Sequence, residues 1–342
     1  MFKINITDYD RLVYDKEFKN FLPDKMIDIH THINKLSFDP WGGHNGGSSW
    51  IDLVYDEMKT EDLIAFYKAA FPQQDITPLI FGDVFCNVDQ VNDYVRDEGK
   101  KYSFPTLYRT SYDMDADELE EKVKSGGFLG YKPYLSDCPP YIPDSEIRIF
   151  DFMPHSQLEK ANKNGWILMM HIPRSGRLKD KVNIAQLMEI EEKYPNIKMI
   201  VAHVGRAYSK EDIGDAFDIL GKTKNMFFDF SANLCDDAIR ACIEAVGTKR
   251  ILYGSDLPVA SMRMYRIVEN GVYYNIVPRG LYGNVEGEAH MRETDEKNVT
   301  MMIYEELLAF KRIAIELNLS YNDIEDVLYG NAKRLLDSVK SK

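Results

Sequence analysis

The stretch Met26-Ile27-Asp28-Ile29-His30-Thr31-His32 decides how the rest of the chain is interpreted. Its apolar residues predict a buried strand over Lys25–His30, and residues two apart along an extended chain point to the same side, so His30 and His32 can reach one ion. Seven more apolar, β-rich runs predict strands at Leu79–Phe85, Ser103–Tyr108, Phe128–Tyr134, Trp166–His171, Lys198–His203, Met226–Phe230 and Arg250–Gly254.

Amphipathic helical patterns separate these strands, for example TEDLIAFYKAAF at 60–71 and IAQLMEIEEKYP at 184–195. Strands that alternate with helices of this length pair in parallel through right-handed crossovers. Eight of them in series predict an α/β fold, a (β/α)8 TIM barrel with inserted loops and C-terminal helices at about 300–316 and 321–338. We expect residues 1–342 to form one domain. An open doubly wound sheet is the alternative.

The amino-acid composition and net charge limit the kinds of partner that this chain is expected to bind. The 342 residues carry a formal net charge of −13, which argues against binding to a nucleic-acid backbone and gives no support for an anionic membrane. No apolar run approaches the ~20 residues of a membrane span, and the N-terminal residues are too charged for a secretory signal. The cysteines form no C-x-x-C pair and predict free thiols in a reducing cytosol: Cys86, Cys138, Cys235 and Cys242. We therefore expect a cytoplasmic protein with a small-molecule substrate.

Four of the seven histidines and one aspartate fall where predicted strands end. His30 and His32 belong to the first strand, His171 ends the fifth, His203 ends the sixth, and Asp256 follows the eighth. The carboxyl ends of parallel barrel strands meet at one mouth, which is where barrel enzymes keep their active sites. Imidazole and carboxylate ligands suit Zn²⁺, and also Fe²⁺ or Mn²⁺. The pattern therefore predicts a metal site.

The H-T-H of the first strand, the single histidines after strands five and six, the G-S-D-L-P at 254–258 and the closing Y-G-N-A-K-R-L-L at 329–336 resemble the amidohydrolase superfamily. The resemblance is to its "amidohydrolase 2" branch, which includes enzymes like aminocarboxymuconate-semialdehyde decarboxylase and pyrone-dicarboxylate lactonase, and covers about residues 25–338. It implies that His30, His32, His171 and Asp256 bind the metal. It also implies that His203 holds a water or a substrate oxygen, and that the protein is a homodimer.

One divalent metal is expected, with zinc favoured over manganese or iron. In that arrangement Asp256 and His203 are the catalytic residues, because a carboxylate beside the attacking water can move its proton and an imidazole can stabilise developing charge. Lys132, near the end of the fourth strand, leaves three alternatives open. It pairs with a substrate carboxylate, or it is carboxylated and bridges a second metal, or it does neither.

Arg174 and Arg206 each follow three residues after a candidate histidine, so we expect them at the mouth as substrate-binding residues for a carboxylate. The alternative is a loop arginine that pairs with a neighbouring aspartate or a helix C-terminus. Weaker candidates for the pocket are Arg177, Arg263, Arg266, Arg279, Tyr134, Tyr253, Tyr273, Tyr274 and Tyr282.

Two irregular segments are expected to shape the pocket. WGGHNGGSSW, residues 41–50, is predicted as a loop on the active side, and Ser261–Val299 as an ordered lid. The predicted function is metal-dependent hydrolysis of a small, carboxylate-bearing lactone, amide or ester through a metal-activated water. The alternatives are metal-dependent, non-oxidative decarboxylation of an aromatic or enoic acid, and an inactive barrel that acts as a binding protein.

Overall fold

The computed structural model describes residues 2–39, 50–84 and 86–340. Within these ranges the barrel strands are β1 Lys25–Ile33, β2 Asp75–Gly82, β3 Tyr108–Thr110, β4 Gly130–Pro133, β5 Ile167–Met170, β6 Lys198–Val201, β7 Met226–Asp229 and β8 Ile251–Leu252. β1 pairs with β2, and β3 to β8 pair in sequence order, all in parallel. The predicted α/β barrel is confirmed.

Backbone bonds outside the regular ladders close the ring. β2 joins β3 through the parallel bridge between Ile80 and Thr106, and β1 joins the end of β8 through the bridge between Thr31 and Leu257. Near that second bridge, the Ile29 N–H donates to the Tyr253 carbonyl at 3.0 Å. The strand order therefore forms a closed barrel, and an open sheet is excluded.

The third strand is placed differently from the prediction of Ser103–Tyr108. Ser103 instead ends the preceding helix in the left-handed conformation, with φ of 59°. Pro105 has no N–H to donate to a ladder, so the chain makes only an isolated bridge before β3 begins at Tyr108. β2 begins earlier than predicted, at Asp75, and β8 is shorter. Phe85, the predicted end of the second strand, lies outside the described residues.

Helices surround the strands. Their bounds are Asp8–Val13, Ile51–Val54, Thr60–Ala70, Val88–Tyr102, Ala116–Gly126, Ile149–Phe152, His155–Asn164, Lys181–Lys193, Ala216–Leu220, Asp236–Val246, Met302–Glu316, Tyr321–Glu325 and Asn331–Lys340. The helix Ala116–Gly126 shows how the sequence sets such bounds. Asp115 caps its first turn by accepting from two backbone N–H groups, and Gly127 ends it in the left-handed conformation. Within the described ranges, no helix has the length and apolar character needed to cross a bilayer.

The segment Ser261–Val299 is ordered, as predicted. It contains β9 Tyr265–Glu269, β10 Val272–Pro278 and β11 Met291–Thr294, which form a separate three-stranded sheet, referred to below as the inserted sheet. The Arg266 guanidinium lies over the rings of Tyr208 and Tyr273, at 4.7 and 4.9 Å from their centroids. It also donates to the Ala232 carbonyl at 3.1 Å, so the inserted sheet packs on loops beside the barrel mouth. Except for Trp50, the predicted active-side loop 41–50 lies outside the described residues.

Candidate metal centre

Three histidines and one aspartate converge at the carboxyl end of the barrel. The Nε2 atoms of His32 and His30 lie 3.0 and 3.4 Å from Asp256 Oδ1. His203 joins them, since one potential ligand atom from each of His30, His203 and Asp256 lies within 4.8 Å of the others. A close approach at the join between β8 and β1 makes this possible. A Cβ on Gly254 would lie 2.7 Å from the Cβ of His30, so this position of the G-S-D-L-P stretch requires glycine.

The tautomer of His30 follows from its partner. Its Nδ1 lies 3.0 Å from Asp229 Oδ2, and because an ionised carboxylate only accepts, Nδ1 carries the proton. Burial acts to raise the pKa of Asp229, but His30 and Ser231 outweigh it and lower that pKa to about 2. Burial also lowers the pKa of His30 to about 4, against the attraction of Asp229. His30 is therefore neutral at pH 7, with a lone pair on Nε2.

His32 is oriented by a tyrosine. The Tyr134 hydroxyl lies 2.7 Å from the Gly82 carbonyl, to which it donates, and 3.0 Å from His32 Nδ1. The single hydroxyl proton is used on the carbonyl, so the Tyr134 oxygen accepts from His32 Nδ1–H. The lone pair of His32 is therefore on Nε2, the atom that lies beside Asp256.

His203 is held in the same way by the residue after β7 and its neighbour. Its Nδ1 lies 2.9 Å from both the carbonyl and the hydroxyl oxygen of Ser231. The Ser231 hydroxyl in turn donates to Asp229 Oδ1 at 2.5 Å. His203 Nδ1 therefore donates to Ser231, which leaves the lone pair on Nε2. Asp229 thus orients two imidazoles. It bonds directly to His30, and it orients His203 through the Ser231 hydroxyl.

This arrangement fits a metal ion. Nitrogen lone pairs beside a carboxylate oxygen repel one another unless a cation lies between them. Burial acts to raise the pKa of Asp256, but the neighbouring His203, His32 and His30 outweigh it and lower that pKa below its usual value, so the carboxylate is ionised. Imidazoles whose Nδ1–H groups are held by hydrogen-bonded partners are the usual surroundings of a protein-bound divalent ion.

His171 lies beside this cluster. Its ring centroid is 5.2 Å from that of His203, and burial lowers its pKa well below the usual value. Its Nδ1 is buried and has no hydrogen-bond partner among the described residues. A neutral imidazole with an unpartnered nitrogen fits a ligand role, although the tight set of three contains His203 rather than His171. The division of roles between these two histidines stays a prediction.

Backbone strain is concentrated around the same mouth. Asp256, His203 and Ala232 follow three different strands, and their φ angles are 64°, 59° and 48°. After His203 the left-handed conformation continues through Val204, Gly205 and Arg206. This conformation costs about 1–2 kcal/mol for each residue that has a Cβ atom. Such positions persist where the surrounding structure enforces them, and they cluster at functional sites.

A cavity of about 370 Å³ opens over the cluster. Its lining residues are His30, His32, Ile51, Tyr55, Asp83, Val84, Lys132, Tyr134, Leu135, Ser136, His171, His203, Asp256, Pro258 and Val259. Tyr134 is the only one of the five candidate tyrosines on this wall. No described residue of the inserted sheet lines the cavity, so this segment packs beside the pocket and does not cover it.

Lys132 places a cation in the cavity wall. The residue is 1% exposed, and its Nζ lies 4.8 and 5.4 Å from the ring centroids of Tyr134 and Phe81. Burial lowers its pKa to about 8, although Asp256, Asp229 and Asp83 act to raise it. In the described part of the chain it forms no direct ion pair. Its ammonium group is therefore available to an anionic substrate group.

The candidate arginines are not brought to the cavity wall. Arg174 Nε lies 3.1 Å from both oxygens of Asp180, and Arg206 donates to the Ile172 carbonyl at 3.2 Å. This is the arrangement expected of loop arginines that bind neighbouring groups. The weaker candidates also have protein partners: Arg177 pairs with Asp212, Arg263 with Asp10, Arg266 with Asn275 and Ala232, and Arg279 with Asp295 and Glu293.

Sequence reasoning missed four residues of the site: Asp83, Tyr55, Asp229 and Ser231. Asp229 and Ser231 stand in the run F-D-F-S at 228–231, where a lone carboxylate at the end of an apolar strand is the same signal that identified the histidines. Asp83 was hidden inside a predicted strand that extended to Phe85. Tyr55 precedes the helix Thr60–Ala70, and no local pattern distinguishes it from packing tyrosines.

The chain belongs to the amidohydrolase family, whose pattern matches residues 27–337. Enzymes of this family are metal-dependent hydrolases or decarboxylases. No curated protein sequence matches the chain.

Solved structures with the same fold include three from bacteria. A probable 2-pyrone-4,6-dicarboxylic acid hydrolase from Acinetobacter baumannii, with citric acid bound, is 14% identical (TM-score 0.56; 91% of this chain and 99% of that chain covered). An amidohydrolase from Burkholderia multivorans with bound HEPES is 13% identical (TM-score 0.60; 91% and 99%). A dihydroxybenzoic acid decarboxylase from a Polaromonas species, with bound manganese and 2-nitroresorcinol, is 13% identical (TM-score 0.53; 92% and 97%). At these identities the likeness establishes the fold.

Proposed function

We propose that this protein hydrolyses a small, carboxylate-bearing lactone, amide or ester with the help of one divalent metal ion. The observation that carries the proposal is the convergence of lone-pair nitrogens of His30, His32 and His203 around the ionised Asp256. The ligands proposed are His30, His32, His171 and Asp256. A divalent ion held there would lower the pKa of a water molecule to about 7.

The side chains around that ion have defined tasks. Asp256 accepts the proton of the attacking water and passes it to the leaving group. His203, whose Nδ1–H is held by Ser231, presents the Nε2 lone pair to the attacking water and orients that water by accepting a hydrogen bond. Lys132 pairs with the substrate carboxylate, and the similar 2-pyrone-4,6-dicarboxylic acid hydrolases support a substrate of this class. Arg174 and Arg206 are proposed as outer substrate contacts after rearrangement of their loops.

Non-oxidative decarboxylation is the second candidate, and the apolar part of the cavity wall favours it. Ile51, Val84, Leu135, Pro258 and Val259 form a surface suited to a ring or an unsaturated chain. An aromatic or enoic acid bound there would have its carboxylate beside Lys132 and away from bulk water. The similar 2,6-dihydroxybenzoate decarboxylases act on an acid of this kind.

Zinc is the ion proposed, because imidazole nitrogens with one carboxylate are its common ligands. Manganese is the alternative supported by the manganese-bound decarboxylase of similar fold. A second ion on a carboxylated Lys132 is a further alternative. We also propose a cytoplasmic location, since all four cysteines are free thiols, and homodimer formation.

The test combines metal analysis with product analysis. Purified protein is expected to contain about one divalent ion per chain, and His32→Ala is expected to lower that content and abolish turnover while the far-ultraviolet spectrum stays that of a folded barrel. Asp256→Asn should reduce turnover more than metal content. Uptake of ¹⁸O from labelled water supports hydrolysis, and release of carbon dioxide supports decarboxylation. A natively purified protein without metal would contradict both and favour an inactive barrel.

A further inference from the structure

Asp83 places a second carboxylate in the cavity, away from the proposed ligands. It follows β2 directly and is 3% exposed, and its side chain lines the cavity. Oδ2 accepts from the Tyr55 hydroxyl at 2.9 Å, and Oδ1 accepts from the Val84 N–H at 2.7 Å. Both donors are neutral groups. A carboxylate whose hydrogen-bond donors are all neutral is costly to bury until a cation approaches.

Asp83 is not the partner that orients His32. Its Oδ1 lies 3.7 Å from His32 Nδ1, beyond hydrogen-bonding distance. That nitrogen is already bonded to the Tyr134 hydroxyl at 3.0 Å. Among the described residues, this contact with His32 is the closest approach of a potential cation to Asp83. Asp83 therefore makes no hydrogen bond to the proposed metal ligand.

Lys132 is the complementary group. It lines the same cavity as Asp83, yet the two form no direct ion pair. Asp83 and Lys132 therefore give one cavity a carboxylate and an ammonium that do not neutralise each other by direct contact. A substrate that carries both an ammonium and a carboxylate would match these two charges.

We propose that Asp83 and Tyr55 form a subsite for a protonated amino group, and that the substrate is a zwitterion whose carboxylate pairs with Lys132. The proposal rests on the proposed function and deepens it, because it names the substrate class of the same cavity. The apolar residues of the same cavity wall accommodate a ring or a short hydrocarbon segment. Charge-assisted hydrogen bonds of this kind are about twice as strong as those between neutral groups.

The test is a matched series of ligands that differ in one group. Methylbenzoate, hydroxymethylbenzoate and aminomethylbenzoate, as the 3- and 4-isomers, are titrated calorimetrically into zinc-loaded protein. We expect the better aminomethyl isomer to bind at least about tenfold more tightly than its methyl and hydroxymethyl counterparts. In Asp83→Asn this preference should fall to less than about threefold, whereas Asp144→Asn, which changes an exposed carboxylate, should retain it. Lys132→Met should weaken binding of all three ligands.

The outcomes separate the two proposals. Equal affinities of the aminomethyl and hydroxymethyl ligands, or a preference unchanged in Asp83→Asn, would overturn the zwitterion proposal while leaving the proposed function intact. So would failure of all the ligands to bind a protein that holds its metal. If Asp83→Asn loses metal, Asp83 is a positioning residue for His32 and the subsite is rejected. Wild-type protein that binds no zinc contradicts the proposed function itself.

Discussion

At the scale of single residues, the tautomer and orientation of each imidazole are set by a neighbour. Asp229 accepts from His30, Tyr134 from His32, and Ser231 from His203. Each neighbour accepts a hydrogen bond from Nδ1–H and so leaves the Nε2 lone pair directed at the proposed site. Residues that bond to ligand histidines in this way commonly change metal affinity by 10–100-fold when altered.

Tyr134→Phe tests this dependence. The change removes the acceptor of His32 Nδ1–H, so the ring loses both its fixed tautomer and its fixed orientation, and we expect zinc affinity to fall by about 10–100-fold. Competition with a chromophoric chelator measures the affinity. Tyr141→Phe is the matched control, because Tyr141 is 83% exposed. Equal affinities of the two variants would show that the hydroxyl plays no part in holding His32.

Glu306 provides a test of pH dependence. Its Oε2 accepts from the Ala232 N–H at 2.8 Å, its Oε1 has no partner among the described residues, and burial raises its pKa well above the usual value. Between the ordinary carboxyl pKa of about 4.3 and this raised value, the folded state binds more protons than the unfolded state, so the wild type loses stability as pH rises. Glu306→Gln stays neutral and keeps the acceptor. Its melting temperature relative to the wild type should therefore rise with pH.

Differential scanning calorimetry at about pH 5 and about pH 8, on either side of neutrality, measures that difference. Glu325→Gln on the next helix serves as the control, since Glu325 is exposed. A Glu306→Gln difference that is constant across this range, or that shrinks as pH rises, would mean that Glu306 is ionised in the folded protein.

The sequence predicts the convergence of residues better than it predicts their roles. His30, His32 and Asp256 meet because strand ends must meet at a barrel mouth, a consequence of topology alone. Which proton acceptor reaches each Nδ1 depends on loop conformations that no local pattern determines. The alternative for Arg174, pairing with a nearby aspartate, matches the observed bond to Asp180, and a three-residue spacing from a histidine does not distinguish it from a substrate contact.

At the scale of elements, the inserted sheet and the helix Met302–Glu316 hold one strained residue between them. Ala232 has a φ of 48°. Its carbonyl accepts a hydrogen bond from Arg266, and its N–H donates to Glu306. It follows Ser231, which holds His203. An element inserted after the eighth strand therefore supports the loop after the seventh, and through it the proposed site.

Arg266→Met tests that support. The substitution leaves the Ala232 carbonyl without its donor, and a hydrogen bond to a charged group contributes about 1.5–3 kcal/mol, so we expect a clear loss of thermal stability and weaker zinc binding. Arg279→Met on the same insertion is the control, because its ion pairs are 59% exposed at the arginine and contribute about 0–1 kcal/mol. Similar losses in both variants would show that the insertion contributes only general stability.

The sequence predicts the start of a strand correctly where the apolar pattern is not interrupted by a helix cap or a proline. β6 and β7 begin at the predicted residues, Lys198 and Met226, because apolar runs there follow turn signals directly. The third strand was misplaced because residues 103–107 are apolar enough for a strand, but include a helix cap and a proline. The order of Ser261–Val299 was predicted from its aromatic content, whereas its packing beside the cavity depends on contacts with distant loops.

At the scale of the whole molecule, metal binding and folding are coupled, because the proposed ligands come from β1 and from the loops after β5 and β8. A ligand that binds only the folded state stabilises it by about 4 kcal/mol when its free concentration is a thousandfold above Kd. Removal of metal with a chelator should therefore lower the melting temperature by several degrees, and zinc should restore it. His32→Ala should show little of this response. An unchanged melting temperature after complete removal of metal would contradict a site assembled from distant strands.

The join between the first and last strands has a consequence for motion. The Asp256 N–H donates to the His30 carbonyl at 2.9 Å, and the His32 N–H donates to the Leu257 carbonyl at 2.8 Å, so residues proposed to hold the ion also fasten the ring of strands. Loss of the ion should first increase the local opening of these backbone hydrogen bonds between β1 and the residues after β8. The amide hydrogens of His32 and Asp256 would then exchange with solvent faster. The exchange rates of amides in β4 and β5, on the opposite side of the barrel, should stay unchanged.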